Sequence, residues 1–267
     1  MTGPQDSSAA CVRSGRLFLV PTPLDFGCPD QLPLPDVLPR TTLVVAAGVT
    51  HWICENARSA RAFLKRIDSV VPLAMPLQSQ QITELPREVL KKGDHAGSAG
   101  FVFNARPLLA PALNGHDVGL LSEAGMPAVA DPGSSVVRAA HDLGLEVIAL
   151  TGPVSILLAL AASGLNGQNF AFVGYLPQDA SDRARRIREL ESTALRTGQT
   201  QLFIETPYRN GVLLEALLEH LQHNTRLSVS SGLTLPSTRT ISRLVKSWRQ
   251  SPHGPDKHTP AVFSIGR

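Results

Sequence analysis

Three short apolar runs, each typical of a buried β-strand, lead directly into turns rich in glycine and proline. Proline fixes such a turn, and glycine removes the Cβ atom that would keep a ligand away from the backbone. Any one of them alone would be an ordinary βα turn. Because ligands in open α/β sheets lie beyond the carboxyl ends of the strands, the three together predict a site built largely from main-chain groups. The segments are LFLVPTPLDFG (17–27), GLLSEAGMPAVADPGS (119–134) and VIALTGPVSI (147–156).

Apolar runs of this kind alternate with amphipathic helical patterns, which predicts an α/β fold with parallel sheets. A joint near 151–167 divides the chain into a flexible tail (1–14), an N-terminal domain (15–153) and a C-terminal domain (154–267). The segment 77–100 is expected to be a helix-and-loop insertion. The predicted strands are 16–20, 42–47, 118–121, 147–150, 170–173, 201–205, 227–231 and 261–265, and the predicted helices include 55–67, 134–143, 182–193 and 211–220.

Composition excludes several classes of protein. The 267 residues are 43% hydrophobic and 18% charged, as in a soluble globular chain. No apolar run has membrane-spanning length, and the N-terminus does not resemble a signal peptide, so a cytoplasmic protein without a membrane partner is expected. Three cysteines without CxxC spacing and eight histidines without an HExxH motif predict neither disulfides nor a metal site. GxGxxG and P-loop motifs are absent, and a net charge of +3 is compatible with nucleic acid.

Two segments carry acidic and basic residues close together. In IETPYRN (204–210), Glu205 and Arg209 either fix a substrate or pair with each other. In CENARSARAFLK (54–65), Glu55 and Arg58 lie one helical turn apart, and Asn56 is expected to cap or line the helix start. The basic stripe that follows in this helix is typical of a solvated surface as well as of a substrate-facing one.

A third segment, ASDRARRIREL (180–190), concentrates arginines on one predicted helix. Ser181 is expected to be its N-cap. Arginine forks suit phosphate, so Arg183, Arg185 and Arg186 are candidate RNA contacts. A solvated helix face is the alternative.

Taken in order, these motifs resemble the tetrapyrrole methylase superfamily, and within it the group that methylates a cytidine 2′-hydroxyl of 16S ribosomal RNA. LFLVPTP is similar to the opening strand and its Thr-Pro turn, and SEAGMPAVADPG to the Asp-Ala-Gly-Thr-Pro-x-x-x-Asp-Pro-Gly signature. LTGPVSILLALAASGL, FAFVGYLP and QLFIETPYR are similar to three later blocks. The chain departs from the group at ENAR (55–58), where the family has Glu-Asp-Thr-Arg, and at LQSQQITELP (77–86).

The resemblance implies two α/β domains, with a mainly parallel N-terminal sheet, a mixed C-terminal sheet and a ligand cleft between them. It implies S-adenosyl-L-methionine as the methyl donor, RNA (16S rRNA or the ribosomal subunit) as a partner, and a homodimer. The alternatives are methylation of a tetrapyrrole or another small molecule, and a catalytically weak RNA-binding relative. The implied donor contacts are Pro23, Leu24, Gly125, Met126, Val129, Val154, Ser155, Ile156, Tyr175, Leu176, Pro260 and Ala261.

A sugar hydroxyl that accepts a methyl group benefits from a general base. Glu123 and Glu55 are the candidate bases, and Arg58 and Arg209 are expected to orient the acceptor. Asp131 precedes a Pro-Gly pair, so it is expected to be a turn residue and helix N-cap.

Overall fold

The computed structural model describes residues 13–25, 28, 30–92, 94, 103–251 and 253–267. The strands are β1 Leu17–Val20, β2 His51–Cys54, β3 Gln81–Glu84, β4 Val118–Leu121, β5 Val147–Ala149, β6 Phe170–Tyr175, β7 Thr200–Glu205, β8 Arg226–Ser231, β9 Arg239–Leu244 and β10 Ala261–Gly266. The helices are α1 Leu34–Val37, α2 Arg40–Gly48, α3 Ala57–Asp68, α4 Arg87–Lys92, α5 Ala110–Leu113, α6 Ser134–Asp142, α7 Ser155–Ser163, α8 Ala180–Thr197, α9 Asn210–His220 and α10 Val245–Gln250.

The chain divides into two compact units, and each unit is made of two segments that are not consecutive in the sequence. Unit 1 contains the chain up to Thr22 together with Pro39–Thr151, and unit 2 contains Pro23–Leu38 and Gly152–Arg267. The sequence instead assigned 23–38 to the N-terminal domain. Most of the predicted tail, residues 1–12, lies outside the described residues.

Unit 1 contains a five-stranded sheet in the order β3-β2-β4-β1-β5, and every pairing in it is parallel. Its core is aliphatic and includes Leu17, Ile53, Leu120 and Val136. Because all five strands run the same way, their carboxyl ends lie at one edge of the sheet. The parallel N-terminal sheet that the sequence predicted is confirmed.

Unit 2 contains a five-stranded sheet in the order β6-β7-β10-β8-β9, in which β6 and β7 are parallel and the other pairings are antiparallel. Its core includes the stacked rings of Phe203 and Phe263, 6.1 Å apart. Trp248 is fully buried, and its indole N–H donates to the carbonyl of Leu227 at 2.8 Å. This mixed sheet confirms the fold class expected for the C-terminal part.

Several sequence predictions of elements were wrong. Residues 42–47 form part of helix α2, not a strand: Leu43, Ala46 and Ala47 are buried at helical spacing, so tertiary burial overrides the β-branched composition. Strands β2, β3 and β9 were missed, and β3 lies within the predicted helix-and-loop insertion. Helix α8 is capped by Asp179, which accepts from the N–H of Asp182 at 2.9 Å, so Ser181 is not the N-cap.

Among the helices that the structure describes, none is long and apolar enough to span a bilayer.

Candidate functional site

The loop at 122–133 follows β4 at the carboxyl edge of the unit 1 sheet, next to the turn that follows β1. Thr22 and Gly125 form an antiparallel bridge in which each N–H donates to the other residue's carbonyl, at 2.9 and 3.1 Å. The Thr22 hydroxyl also donates to the carbonyl of Ser122 at 3.3 Å. The two predicted turns are therefore joined by backbone hydrogen bonds.

The backbone of this loop is strained. Gly125 has φ 86° and Gly133 has φ 136°, and both values suit glycine. Ala128 and Ala130 also have positive φ, at 62° and 68°. Each such alanine costs about 1–2 kcal/mol, and strain of this kind accumulates at ligand sites. The loop therefore keeps a shape that its residues would not adopt by themselves.

Three carboxyl groups lie close together at this loop, and two of them belong to it. Glu55 follows β2, and its Oε1 accepts the backbone N–H of Glu123 at 3.2 Å. The Ser59 hydroxyl donates to Oε1 of Glu123 at 3.3 Å. Asp131 lies close enough to raise the pKa of Glu55 through charge repulsion. The structure thus brings together both predicted candidate bases and adds a third carboxyl group.

Burial is the main reason why these carboxyl groups bind protons more tightly than usual. It raises the pKa of Glu55 to about 7, and repulsion from Asp131 and Glu123 adds to the effect. It also raises the pKa of Asp131 to about 6, again with repulsion from Glu123. The pKa of Glu123 is raised as well, although the hydrogen bond from Ser59 opposes the shift. Such a cluster can take up or release a proton near neutral pH.

Glu55 and Arg58 are positioned by the start of α3. The side chain of Asn56 accepts the N–H groups of Arg58 and Ser59, at 2.8 and 3.4 Å, which confirms Asn56 as the cap. Glu84, at the end of β3, accepts the N–H of Ala57 at 2.7 Å. Arg58 itself is exposed on the first turn of this helix.

Asp94, and not Asp131, caps helix α6. Its carboxylate accepts the N–H groups of Gly133 and Ser135, both at 2.8 Å, and the hydroxyls of Ser134 and Ser135, at 2.9 and 2.7 Å. Burial would raise the pKa of Asp94, but these hydrogen bonds together hold it below its ordinary value. The predicted capping role of Asp131 was therefore wrong.

In unit 2, Arg209 pairs with Glu205 at the end of β7. The Nε–Oε2 distance is 3.5 Å, and the two side chains are only 17% and 6% exposed. Of the two roles that the sequence allowed, the structure places them in the ion pair. Asn210, fully buried, donates from Nδ2 to the carbonyl of Thr259 at 3.0 Å and so anchors the chain entering β10.

The other expected donor contacts lie in turns and at the ends of helices and strands, some in each unit. In unit 1, Val129 is 40% exposed on the loop and Met126 is partly buried. In unit 2, the N–H of Leu24 donates to the Thr234 hydroxyl at 3.3 Å, and Tyr175, 59% exposed, ends β6. Pro23, Ile156, Leu176 and Ala261 are buried, Val154 and Ser155 begin α7, and Pro260 precedes β10.

The arginines predicted to contact RNA are partly engaged within unit 2. Arg183 is buried and donates to the carbonyls of Pro177 and Gln178, at 3.4 and 2.9 Å, so it does not belong to an exposed basic face. Arg185 pairs with Asp182 at 2.8 Å and Arg186 with Glu189 at 3.3 Å, both exposed.

Sequence reasoning missed Asp94 and Asn210. Asp94 is separated by 39 residues from the backbone groups that it binds, and no local pattern signals such a contact. Asn210 was visible as the last residue of ETPYRN but was not assigned a role. Within the described part of the chain, no three His, Cys, Asp or Glu side chains are grouped to hold a metal ion.

Comparison with known sequences gives a consistent result. The profile of the family described as Tetrapyrrole (Corrin/Porphyrin) Methylases matches residues 41–247. The protein from Mesorhizobium japonicum named ribosomal RNA small subunit methyltransferase I is 31% identical over 219 residues, 82% of this chain and 63% of that protein. The protein of the same name from Pseudomonas aeruginosa is 29% identical over 206 residues, 77% of this chain and 61% of its own. The chain thus spans less than two thirds of the length of these relatives.

Solved structures share the fold at low sequence identity. The methyltransferase CobJ aligns with a TM-score of 0.55 and 18% identity over 95% of each chain. Uroporphyrin-III-C-methyltransferase from Thermus thermophilus aligns with a TM-score of 0.51 and 18% identity over 94% of each chain. Since the family profile covers more than half of the chain, this protein belongs to the tetrapyrrole methylase family.

Proposed function

We propose that the protein is an S-adenosyl-L-methionine-dependent methyltransferase that acts on RNA, with a ribose 2′-hydroxyl of small-subunit ribosomal RNA as the acceptor. The observation that carries this proposal is the cluster that Glu55 forms with Glu123 and Asp131 of the strained loop at 122–133. The names of the relatives from Mesorhizobium japonicum and Pseudomonas aeruginosa supply the class of acceptor.

The loop has the character that a nucleoside-type donor requires. Its positive-φ residues are glycines and alanines, whose short side chains let a ligand approach the backbone, and its bridge to Thr22 fixes its position. Gly125, Met126 and Val129 would hold the donor in unit 1. In unit 2 the proposed contacts are those implied by family resemblance: Pro23, Leu24, Val154, Ser155, Ile156, Tyr175, Leu176, Pro260 and Ala261.

The donor supplies a methyl group already activated by a positively charged sulfur. When the donor is bound, the acceptor oxygen would form a bond to the methyl carbon as the carbon–sulfur bond breaks, and the electron pair of that bond would stay on sulfur. The hydroxyl proton passes to the Glu55 carboxylate. A pKa of about 7 leaves much of Glu55 ionised at neutral pH and still makes it a useful base. The backbone N–H of Glu123 orients the Glu55 carboxylate, and Arg58 would orient the acceptor.

Arg209 is held in an ion pair by Glu205, so its proposed role is to shape the turn after β7 more than to bind the acceptor directly.

We also propose a cytoplasmic homodimer. Helix α7 is apolar on both faces, with Leu157 and Leu158 50% and 40% exposed, and Phe170 on the edge strand β6 is 39% exposed. Such unpaired apolar surface is typical of an interface. Light scattering of the wild type and of Leu157→Glu measures the oligomeric state.

The test uses donor labelled in its methyl group and small ribosomal subunits from a strain that lacks this gene. We expect label in 16S rRNA with wild-type protein and a loss of about 10²–10⁴-fold in kcat with Glu55→Gln, whose shape is retained. Donor binding measured by calorimetry should be similar for both proteins. Label absent from rRNA although the donor binds would refute the RNA assignment, and a change in visible absorbance with added porphyrinoid would favour a tetrapyrrole acceptor.

A further inference from the structure

Helix α8 carries two arginines that differ from the rest of its basic residues. Arg183 is buried, and Arg185 and Arg186 have acidic partners on the same helix. Arg188 and Arg196 are exposed, and within the described residues neither forms an ion pair. Two positive charges on this helix are therefore available to a ligand.

These two arginines line one groove of about 550 Å³ in unit 2. They lie on the same face of α8, about 12 Å apart along the helix axis at 1.5 Å per residue. Ser192 lies between them on that face, and His220 and Gln222, from the end of α9 and the turn after it, form the opposite side. The groove therefore runs along the helix with a guanidinium towards each end.

The one carboxylate in the groove is already bound. Glu191 is 3% exposed, and it accepts the N–H of Gln222 at 2.7 Å and the hydroxyl of Thr225. Its hydrogen bonds tie α8 to the turn after α9 and fix one side of the groove. Outside the lining, the Arg267 guanidinium donates to the carbonyls of Leu195 and Arg196 near the C-terminal end of α8.

The lining indicates which ligand would bind. Leu195 is the only aliphatic residue among those that form the groove, so it offers no pocket for the apolar anchors typical of protein interfaces. Arginine, serine and glutamine side chains donate hydrogen bonds to phosphate and sugar oxygens. Phe, Tyr and Trp side chains, on which bases commonly stack, are absent from this lining, and the imidazole of His220 is its one aromatic ring.

We propose that this groove binds the sugar–phosphate backbone of the RNA substrate, with Arg188 and Arg196 on separate phosphates and Ser192 and Gln222 on the oxygens between them. This inference rests on the proposed RNA methyltransferase function. It transfers the main RNA contact on α8 from Arg185 and Arg186 to Arg188 and Arg196. Because backbone contacts carry no sequence information, the groove orients the RNA and does not select the methylated nucleotide.

The experiment measures binding of a 16S rRNA fragment by the 267-residue protein between 50 and 200 mM salt. Arg188→Gln/Arg196→Gln should weaken binding by about 10- to 100-fold and flatten the plot of log K against log salt by about 1.4, the value for two phosphates on a single strand. Arg239→Gln/Lys246→Gln is the matched control, because it removes the same charge from exposed positions of unit 2. KM for RNA should rise in the groove variant, while donor affinity and melting temperature stay at wild-type values.

The possible outcomes separate this inference from the function on which it rests. Wild-type protein that binds donor but neither binds nor methylates RNA would contradict the proposed function. RNA binding by the groove variant equal to that of the control would overturn the inference, as would a loss that follows Arg185→Gln/Arg186→Gln instead. Polyglutamate that competes as well as RNA of equal charge would also overturn it, and would point to an acidic protein partner.

Discussion

Replacing Asp94 should weaken unit 1 at the point where the loop at 122–133 enters α6. Asp94→Ala leaves the N–H groups of Gly133 and Ser135 without their acceptor. Each buried N–H without a partner costs about 1–2 kcal/mol, whereas the two serine hydroxyls can rotate towards other acceptors. We therefore expect the free energy of unfolding to fall by about 2–4 kcal/mol. Asp94→Asn keeps one acceptor oxygen and should lose about 1–2 kcal/mol.

Urea unfolding followed by circular dichroism measures this change, and Ser134→Ala is the matched control because it removes a single hydroxyl contact. We expect the control to lose less than about 1 kcal/mol. Because the loop at 122–133 leads directly into the helix that Asp94 caps, Asp94→Ala should also weaken donor binding. A stability of Asp94→Ala within about 0.5 kcal/mol of wild type would refute the assignment of Asp94 as the cap.

The same residue predicts a dependence on pH. The folded-state pKa of Asp94 is lowered, so its contribution to stability is complete above the ordinary pKa of about 4 and is lost as pH falls through the folded-state value. The difference in stability between wild type and Asp94→Asn should therefore be constant from pH 6 to 8 and shrink below about pH 4. A difference that grows on acidification would contradict this reasoning.

Substitutions at three further positions, and a control at Gly48, test other parts of unit 1. The raised pKa of Glu55, about 7, means that its contribution to stability is complete below its ordinary pKa and is lost as pH rises through about 7. Glu55→Gln should therefore stabilise the protein by roughly 1–2 kcal/mol at pH 8 after allowance for partial exposure, and by much less at pH 5. Thermal unfolding measures both values, and an equal effect at pH 5 and pH 8 would contradict the raised pKa of Glu55. Because φ is +68° at Ala130, Ala130→Gly should be neutral or stabilising and Ala130→Val destabilising. Their free energies of unfolding in urea should differ by about 2 kcal/mol, and equal values would exclude backbone strain at this position. Gly119→Ala would place a Cβ atom 2.4 Å from the Trp52 ring and should cost about 1–3 kcal/mol, whereas Gly48→Ala, with open space around it, should cost nothing.

Motifs at strand ends predicted the fold well, because strand, turn and helix there are local in sequence. Pro21–Thr22 and the loop at 122–133 follow paired strands and are joined by the Thr22–Gly125 bridge. Elements whose sequence conflicts with their environment were not predictable in the same way. Helix α2 contains Thr-Thr-Leu-Val-Val, so its local preference for a strand disagrees with its final structure. Edge strand β9 reads Arg-Thr-Ile-Ser-Arg-Leu and lacks the continuous apolar run by which strands were predicted.

The electrostatics of the site depended on tertiary burial. The sequence identified Glu55 and Glu123 as candidate bases, but their raised pKa values arise mainly from burial, to which Asp131 adds charge repulsion at Glu55. These carboxyl groups come from two segments that are distant in sequence, the residue after β2 and the loop at 122–133. Likewise, the arginines of α8 are equivalent in sequence. Only the positions of Asp182, Glu189 and the carbonyls of Pro177 and Gln178 separate the engaged arginines from Arg188 and Arg196.

The interleaved boundaries of the two units have a consequence for synthesis and dissection of the chain. Residues 23–38 leave the ribosome before most of unit 1. They nevertheless belong to unit 2, whose other residues begin at Gly152. Leu34 and Leu38 are 3% and 1% exposed in the folded protein. More than a hundred further residues must be synthesised before the rest of their unit is present to bury them. An N-terminal fragment that ends near residue 153 would contain residues 23–38 without the rest of unit 2. Separate expression of the two halves should therefore give aggregation-prone fragments. We expect a split protein to fold when 1–153 and 154–267 are co-expressed.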